Sequence, residues 1–147
     1  MSAPQGLRLA ACVFAALAWL PVPALAQDAP EPGYVCEIKG RSVTRDWIPT
    51  DIVVVANGLQ ARVMDNVLKR LDSKPVRAEV IQNTDQLLVV SWRVPTRVDN
   101  SSIVLTYRAA IFRDSGAVNL DVRGTYLRIK ETGYGHCELA DKYLNLK

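Results

Sequence analysis

The stretch from Asp51 to Asp65 constrains the fold more than any other, because it carries the pattern of a β-hairpin. Apolar residues alternate with other residues on both sides of Asn57-Gly58, a dipeptide that reaches positive φ at little steric cost. With a two-residue loop at this dipeptide, the predicted pairs on the apolar face are Ala56 with Leu59, Val54 with Ala61, and Ile52 with Val63. We therefore expect the later segments to pack as further strands beside this hairpin.

Residues 1–26 have the pattern of a secretory signal peptide. Arg8 precedes an apolar run from Leu9 to Leu20, and Ala24-Leu25-Ala26 places the cleavage before the next residue. The apolar run is too short to remain as a membrane-spanning helix. The sequence therefore predicts export to the periplasm or the cell exterior, and a mature chain without a transmembrane segment.

Cleavage leaves two cysteines, Cys36 and Cys137, near the two ends of the mature chain. An even number of cysteines in an exported chain predicts a disulfide, here closing a loop of about 100 residues. Cys12 is removed with the signal, although a lipoprotein signal acylated at that residue is an alternative interpretation. No metal or cofactor is predicted, because a structural zinc site needs four ligands and only His136 adjoins a cysteine.

The chain divides into a flexible leader at 27–33, a single β-domain at 34–140 and a tail at 141–147. About eight short alternating segments and one short helix within Asp65–Asp72 predict an all-β antiparallel meander. A disulfide between the first and last strands requires them to be neighbours, which favours a closed or nearly closed barrel. An immunoglobulin-like β-sandwich is the alternative, because Cys36, Trp92 and Cys137 follow the order of cysteine, tryptophan and cysteine typical of that fold.

Prolines and glycines suggest where strands end. Pro95 is expected either to end its strand or to mark it as an edge, and residues 96–102 are expected to form a loop. Gly133-Tyr134-Gly135 is expected to turn into a last strand that starts at His136. Trp47 is expected to pack in the core or plug the barrel.

Composition and motifs argue against several classes of function. Arg8 is the only charged residue before residue 27, so the net charge of +3 falls to +2 on cleavage, too little to indicate nucleic-acid binding. No nucleophile elbow, paired-histidine zinc motif or phosphate loop is present. His136 is the only histidine. It adjoins Cys137 in the predicted last strand, so the two side chains point to opposite faces and that of His136 is expected to face solvent. The sequence therefore predicts a non-catalytic protein.

Two sets of residues are candidates for binding. The first set would line the interior of a lipocalin-like barrel and hold a small apolar ligand, or would equally fill a solid core. It comprises Trp47, Trp92, Leu105, Tyr107 and Leu120. The second set faces outward from five strands and would contact anionic envelope material, or would form an ordinary solvated face. It comprises Arg62, Arg77, Arg93, Arg108 and Arg123.

Short motifs along most of the mature chain resemble a class of small exported Gram-negative bacterial proteins of unassigned function. They are Tyr34-Val35-Cys36, Trp47-Ile48-Pro49 ahead of a hairpin ending in Asp65, Lys74-Pro75, Ser91-Trp92 and Gly135-His136-Cys137. The resemblance implies a periplasmic or secreted β-domain and supplies no catalytic residue. We therefore expect a monomeric, exported β-domain that binds a small ligand or an envelope component.

Overall fold

A computed structural model describes residues 33–40, 47–125 and 128–140, which form a closed antiparallel β-barrel. The strands are β1 (Tyr34–Gly40), β2 (Asp51–Asn57), β3 (Gln60–Asp65), β4 (Val76–Asn83), β5 (Leu87–Val98), β6 (Ser101–Phe112), β7 (Ala117–Gly124) and β8 (Lys130–Leu139), and the helix is α1 (Asn66–Arg70). Each strand pairs with its neighbours in sequence, and β8 pairs with β1. The predicted barrel is confirmed, and the alternative β-sandwich is wrong.

The predicted signal peptide at 1–26 and the tail at 141–147 lie outside the described residues, as does most of the leader at 27–33. Its last residue, Gly33, is described and buried. The backbone N–H of Ala140 donates to the Gly33 carbonyl over 2.8 Å. Gly33, which the sequence pattern assigned to the leader, is therefore hydrogen-bonded to the end of the β-domain. Among the described residues, no helix is long and apolar enough to cross a membrane.

The seam between β1 and β8 closes the barrel and carries the predicted disulfide. Cys36 lies directly opposite Cys137 in the strand register, and their Cα atoms are 3.9 Å apart. Both half-cystines are buried, at 1% and 4% exposure. The disulfide therefore links the first and last strands inside the core, as predicted.

The opening hairpin forms, but its turn lies one residue later than predicted. Asn57 pairs with Gln60, so the two-residue loop is Gly58-Leu59. Gly58 has φ +60° and Leu59 has no positive φ, the pattern of a type II′ turn with glycine at its first central position. Every cross-strand pair therefore shifts by two residues, which keeps each side chain on its predicted face except that of Leu59. That side chain is 81% exposed instead of facing Ala56.

The loop expected at 96–102 is wrong, because β5 and β6 continue as a hairpin to a two-residue turn. Asp99 and Asn100 form this turn with φ +47° and +64°, as a type I′ turn requires. The register of β4 with β5 ends at Ser91, so Pro95 has a neighbouring strand, β6, on one side only. Proline is tolerated there because its missing N–H faces an edge, which confirms the edge alternative.

The turn expected at Gly133-Tyr134-Gly135 is also wrong, because β8 passes through these residues without interruption. Gly135 lies opposite Ile38 in β1, and a Cβ atom at this glycine would overlap the backbone carbonyl of Glu37. The glycine therefore serves a close approach of the two seam strands rather than a change of direction.

Alternating side chains of all eight strands fill the barrel with a single apolar cluster. At its centre the rings of Trp92 and Tyr107 stack with centroids 5.2 Å apart and an interplanar angle of 8°. The helix adds the buried side chains of Val67 and Leu68 next to the end of β3. The interior is thus built from facing residues that the period of two predicts.

Removal of the seam disulfide by Cys36→Ser with Cys137→Ser is expected to lower the free energy of unfolding by about 2–5 kcal/mol. The crosslink joins residues 101 positions apart, so its loss greatly increases the entropy of the unfolded chain. Urea unfolding of the oxidised protein and of the double variant measures the difference. Equal midpoints would show that the seam is held by strand pairing alone.

Gly135→Ala is expected to destabilise the barrel by about 1–3 kcal/mol or more, because the added methyl group collides with the β1 backbone, which has no room to move. Gly124→Ala is the matched control, since its methyl group would meet only the side chain of Ile129. Thermal unfolding of both variants tests the prediction. A smaller loss for Gly135→Ala than for Gly124→Ala would contradict it.

Candidate functional site

The five predicted arginines all lie exposed on the outer face of the barrel. Strand register places Arg62 opposite Arg77. It places Arg93 and Arg123 on the two sides of Thr106, and Arg108 between Ser91 and Asp121. Lys130 lies opposite Arg123 and extends the set onto β8, a pairing that the sequence analysis missed because it expected a turn nearby. We call Arg62, Arg77, Arg93, Arg108 and Arg123 the arginine row.

A shallow groove of about 200 Å³ lies within this row, on the outer face of β5, β6 and β7. It is lined by Ser91, Thr106, Arg108, Asp121 and Arg123, and we call it the arginine groove. Ligand pockets for whole small molecules usually occupy about 300–1,000 Å³. The arginine groove therefore matches one charged group of a larger molecule better than an entire ligand.

The chemistry of the arginine groove suits an anion. Arginine presents a planar fork of N–H donors that matches phosphate and carboxylate oxygens. Within the described residues, neither Arg108 nor Arg123 forms a salt bridge, although Asp121 lies opposite Arg108. The hydroxyl of Ser91 donates to the Tyr107 carbonyl over 2.9 Å, so this side chain is held in place at the edge of the groove.

Arg62 and Arg77 place two like charges opposite each other on β3 and β4. Like charges directly opposite each other on neighbouring strands are destabilising. Local features that work against stability concentrate where a surface has another role. The strand register thus indicates this face of the barrel as a candidate binding surface. The modest net charge of the chain gives no such indication.

The candidate lining residues of the interior pack together as core. Trp92, Leu105, Tyr107 and Leu120 are each at most 2% exposed and belong to the same apolar cluster. Trp47 is half-buried and packs against that cluster from outside the strands. Four of these side chains therefore belong to the apolar core, and that of Trp47 packs against it.

A buried carboxylate, Asp65, lies at the end of β3, where the sequence pattern predicted the start of the short helix. It caps α1, because its side chain accepts a hydrogen bond from the Leu68 backbone N–H over 2.7 Å. The indole N–H of Trp92 donates to its other oxygen over 3.2 Å. The side chain is completely buried, and this burial raises the pKa of Asp65 above its ordinary value despite these hydrogen bonds.

Tyr107 extends this polar cluster across the core. Its hydroxyl donates to the backbone carbonyl of Trp47 over 3.0 Å. Burial raises the pKa of Tyr107 as well, and the nearby charge of Asp65 adds to the effect. Strand alternation could have identified the cluster, because Ala61, Val63 and Asp65 share one face of β3. The cluster ties α1, β5, β6 and Trp47 to one another, which is a structural role.

His136 is exposed, as predicted, and lies in a separate groove of about 280 Å³ beside the seam. This groove is lined by Val35, Cys36, Glu37, Asp51, His136 and Glu138. Among the described residues that line this groove, none is a serine. Among the described residues, no three histidine, cysteine, aspartate or glutamate side chains are arranged to hold a metal ion.

Comparisons of the chain with protein-family models, with curated proteins and with solved structures found no match. The resemblance to small exported Gram-negative proteins therefore stays an expectation.

The buried state of Asp65 predicts a specific pH dependence of stability. Because the folded pKa lies above the ordinary value of 3.8, the folded state binds this proton more tightly than the unfolded state does. As the pH falls from about 7 towards about 4, the wild type should therefore gain stability relative to Asp65→Asn. Denaturant unfolding of both proteins at several pH values measures this difference.

Asp72→Asn is the matched control, because it removes an exposed carboxylate from the loop after α1 and keeps a residue that tolerates the positive φ of 51° at that position. The wild type should show a smaller relative gain against this variant. The prediction would be contradicted if the difference in free energy of unfolding between the wild type and Asp65→Asn did not change with pH. Burial of the ionised Asp65 side chain would then not be destabilising.

Proposed function

We propose that this chain is an exported, non-catalytic binding domain that holds anionic groups of a cell-envelope component on the outer face of its barrel. The observation that carries the proposal is the arginine groove, where Arg108 and Arg123 present donors beside the hydroxyl side chains of Ser91 and Thr106. Phosphate, carboxylate and sulfate groups all have oxygens that match these donors. The partner is therefore an anionic lipid headgroup or polysaccharide.

The outer face is favoured over the interior by packing. The side chains that would line a cavity for a small apolar ligand are buried against one another, and Trp92 stacks directly on Tyr107. A carrier of the lipocalin kind needs open volume at this position. The arginine groove, in contrast, is open to solvent and needs no rearrangement to admit a charged group.

Export is supported by two independent features. The first is the N-terminal pattern of a basic residue, an apolar run and Ala-x-Ala. The second is the disulfide between Cys36 and Cys137, since disulfides persist in oxidising compartments such as the periplasm. The resemblance to exported Gram-negative proteins agrees with both. An exported domain meets anionic phospholipids and polysaccharides, which are the partners that the arginine row suits.

The charge reversal Arg77→Glu with Arg108→Glu is expected to weaken binding of the mature domain to envelope fractions at least about tenfold at low salt. Each arginine near an anionic surface contributes about 1 kcal/mol, and a glutamate in its place repels that surface. Binding of the wild type should fall as salt is added, because the attraction is screened. Co-sedimentation with envelope fractions over a salt series measures both effects.

The matched control is Arg97→Glu with Arg128→Glu, which changes the net charge equally at two exposed arginines outside the row. This control should retain most of the binding if the row is the site. If both double variants lost binding to envelope fractions equally, the effect would be explained by net charge alone, which would contradict a localised site. Unchanged binding of Arg77→Glu with Arg108→Glu would refute the proposed function.

A further inference from the structure

The exposed apolar side chains of the barrel are concentrated at one end. In an antiparallel meander the connections alternate between the two ends, so the turns after β2, β4 and β6 and the end of β8 share one rim. Four large apolar side chains lie exposed at this rim, and we call them the apolar rim. They are Leu59 at 81%, Ile81 at 49%, Phe112 at 39% and Leu139 at 56% exposure.

The outer face behind the rim is apolar as well. Val89 lies opposite Ala110, and Leu87 lies opposite Phe112, all on the outward positions of β5 and β6. Val89 is only 2% exposed although the alternation of β5 turns it away from the core. The register of β4 is irregular between Val80 and Gln82, at the position of Ile81. The outward positions next to the apolar rim are therefore apolar, and of these four side chains that of Phe112 is the exposed one.

Three strands repeat the same order, an apolar residue at the rim followed by an arginine of the arginine row. Arg62 follows Leu59 on β3, Arg77 precedes Ile81 on β4, and Arg108 precedes Phe112 on β6. The separations of three or four residues correspond to about 10–13 Å along a strand. An apolar face that enters a bilayer interface is buried by about 5–10 Å at the boundary of headgroups and acyl chains.

We propose that the apolar rim docks on the surface of an anionic lipid bilayer, with Leu59, Ile81 and Phe112 entering the interface and Arg77 and Arg108 contacting headgroup phosphates. This inference rests on the proposed function and names its partner as a lipid surface rather than a polysaccharide. Charge complementarity supports the choice, because juxtamembrane basic residues are attracted to anionic lipids and apolar residues are not attracted to polysaccharide.

The position of the chain ends agrees with this orientation. The described chain enters at Gly33 and ends at Ala140, and the hydrogen bond between these residues places both at the apolar rim. The predicted signal peptide is therefore joined to this rim by residues 27–32.

The binding is expected to be reversible and dependent on anionic lipid. Carboxylates also lie near the apolar rim, because Glu79 separates Arg77 from Ile81, while Asp85 and Asp114 lie in the turns. These charges oppose attraction to an anionic surface, so both the apolar and the basic contributions are needed. Vesicles of phosphatidylcholine alone should bind the domain weakly at any salt concentration.

The test compares binding of the mature domain to vesicles of phosphatidylcholine alone and of phosphatidylcholine mixed equally with phosphatidylglycerol. Leu59→Ser with Ile81→Ser and Phe112→Ser should reduce binding to the anionic vesicles about tenfold or more, while binding to soluble dextran sulfate stays unchanged. Leu71→Ser with Tyr134→Ser is the matched control, because these side chains are 43% and 49% exposed away from the rim. Its vesicle binding should equal that of the wild type.

Leu59→Ser alone serves as a second variant, since an 81% exposed turn residue can be replaced without disturbing the core. It should lower anionic vesicle binding by a smaller factor. Two results would overturn the inference: rim variants that bind anionic vesicles as tightly as the wild type does, or a wild type that does not bind these vesicles. In either case the proposed function still stands if the domain binds dextran sulfate. If Arg77→Glu with Arg108→Glu still binds both anionic vesicles and dextran sulfate as the wild type does, the proposed function is overturned.

Discussion

The pairing of β1 with β8 is the constraint on which the structure depends. Seven residues of each strand lie opposite one another along this seam, and the disulfide crosses it in the core. Without the seam, the sheet would have two exposed edges and the inward faces of its strands would not meet. Gly135 permits the close approach, because any side chain there would collide with the backbone of Glu37. Closure is therefore achieved by covalent chemistry and by the absence of a Cβ atom at one position.

Closure of a barrel this small determines where binding can occur. The inward side chains of eight strands fill the space between them, and the large rings of Trp92 and Tyr107 stack at its centre. The one buried carboxylate of the described core, Asp65, is used to cap α1 and to bind the indole of Trp92. The arginines of the arginine row lie on the outer face, where Arg62 faces Arg77 and where Arg93 and Arg123 lie on the two sides of Thr106.

Local patterns predicted the faces of the strands well. The period of two placed Arg62, Arg77 and Arg108 outside and Trp92 and Tyr107 inside, because a strand residue has only two directions to take. Local patterns failed where a residue has two possible roles. Pro95 was compatible with the end of a strand or with an edge, and only the register distinguished the two. Gly135 was expected in a turn but lies at a close contact between two strands.

The candidate site depended on information that no short stretch of sequence contains. The arginine groove needs Ser91, Arg108 and Asp121 in line across three strands, and this alignment follows from the lengths of two intervening hairpins. The expected loop at 96–102 would have left that register undefined. The position of the Asp99-Asn100 turn fixes it, since one residue more or less would turn each of these side chains to the other face.

The β1–β8 seam also determines the order in which the molecule can be completed. Neighbouring strands form by local hairpins, but the partner of the first strand is the last one made, so the slowest contact spans nearly the whole domain. Until β8 is available to pair, β1 has one unpaired edge, and Cys36 lacks its disulfide partner. An unpaired strand edge favours aggregation, so the unfinished barrel is at risk until its final strand closes the seam.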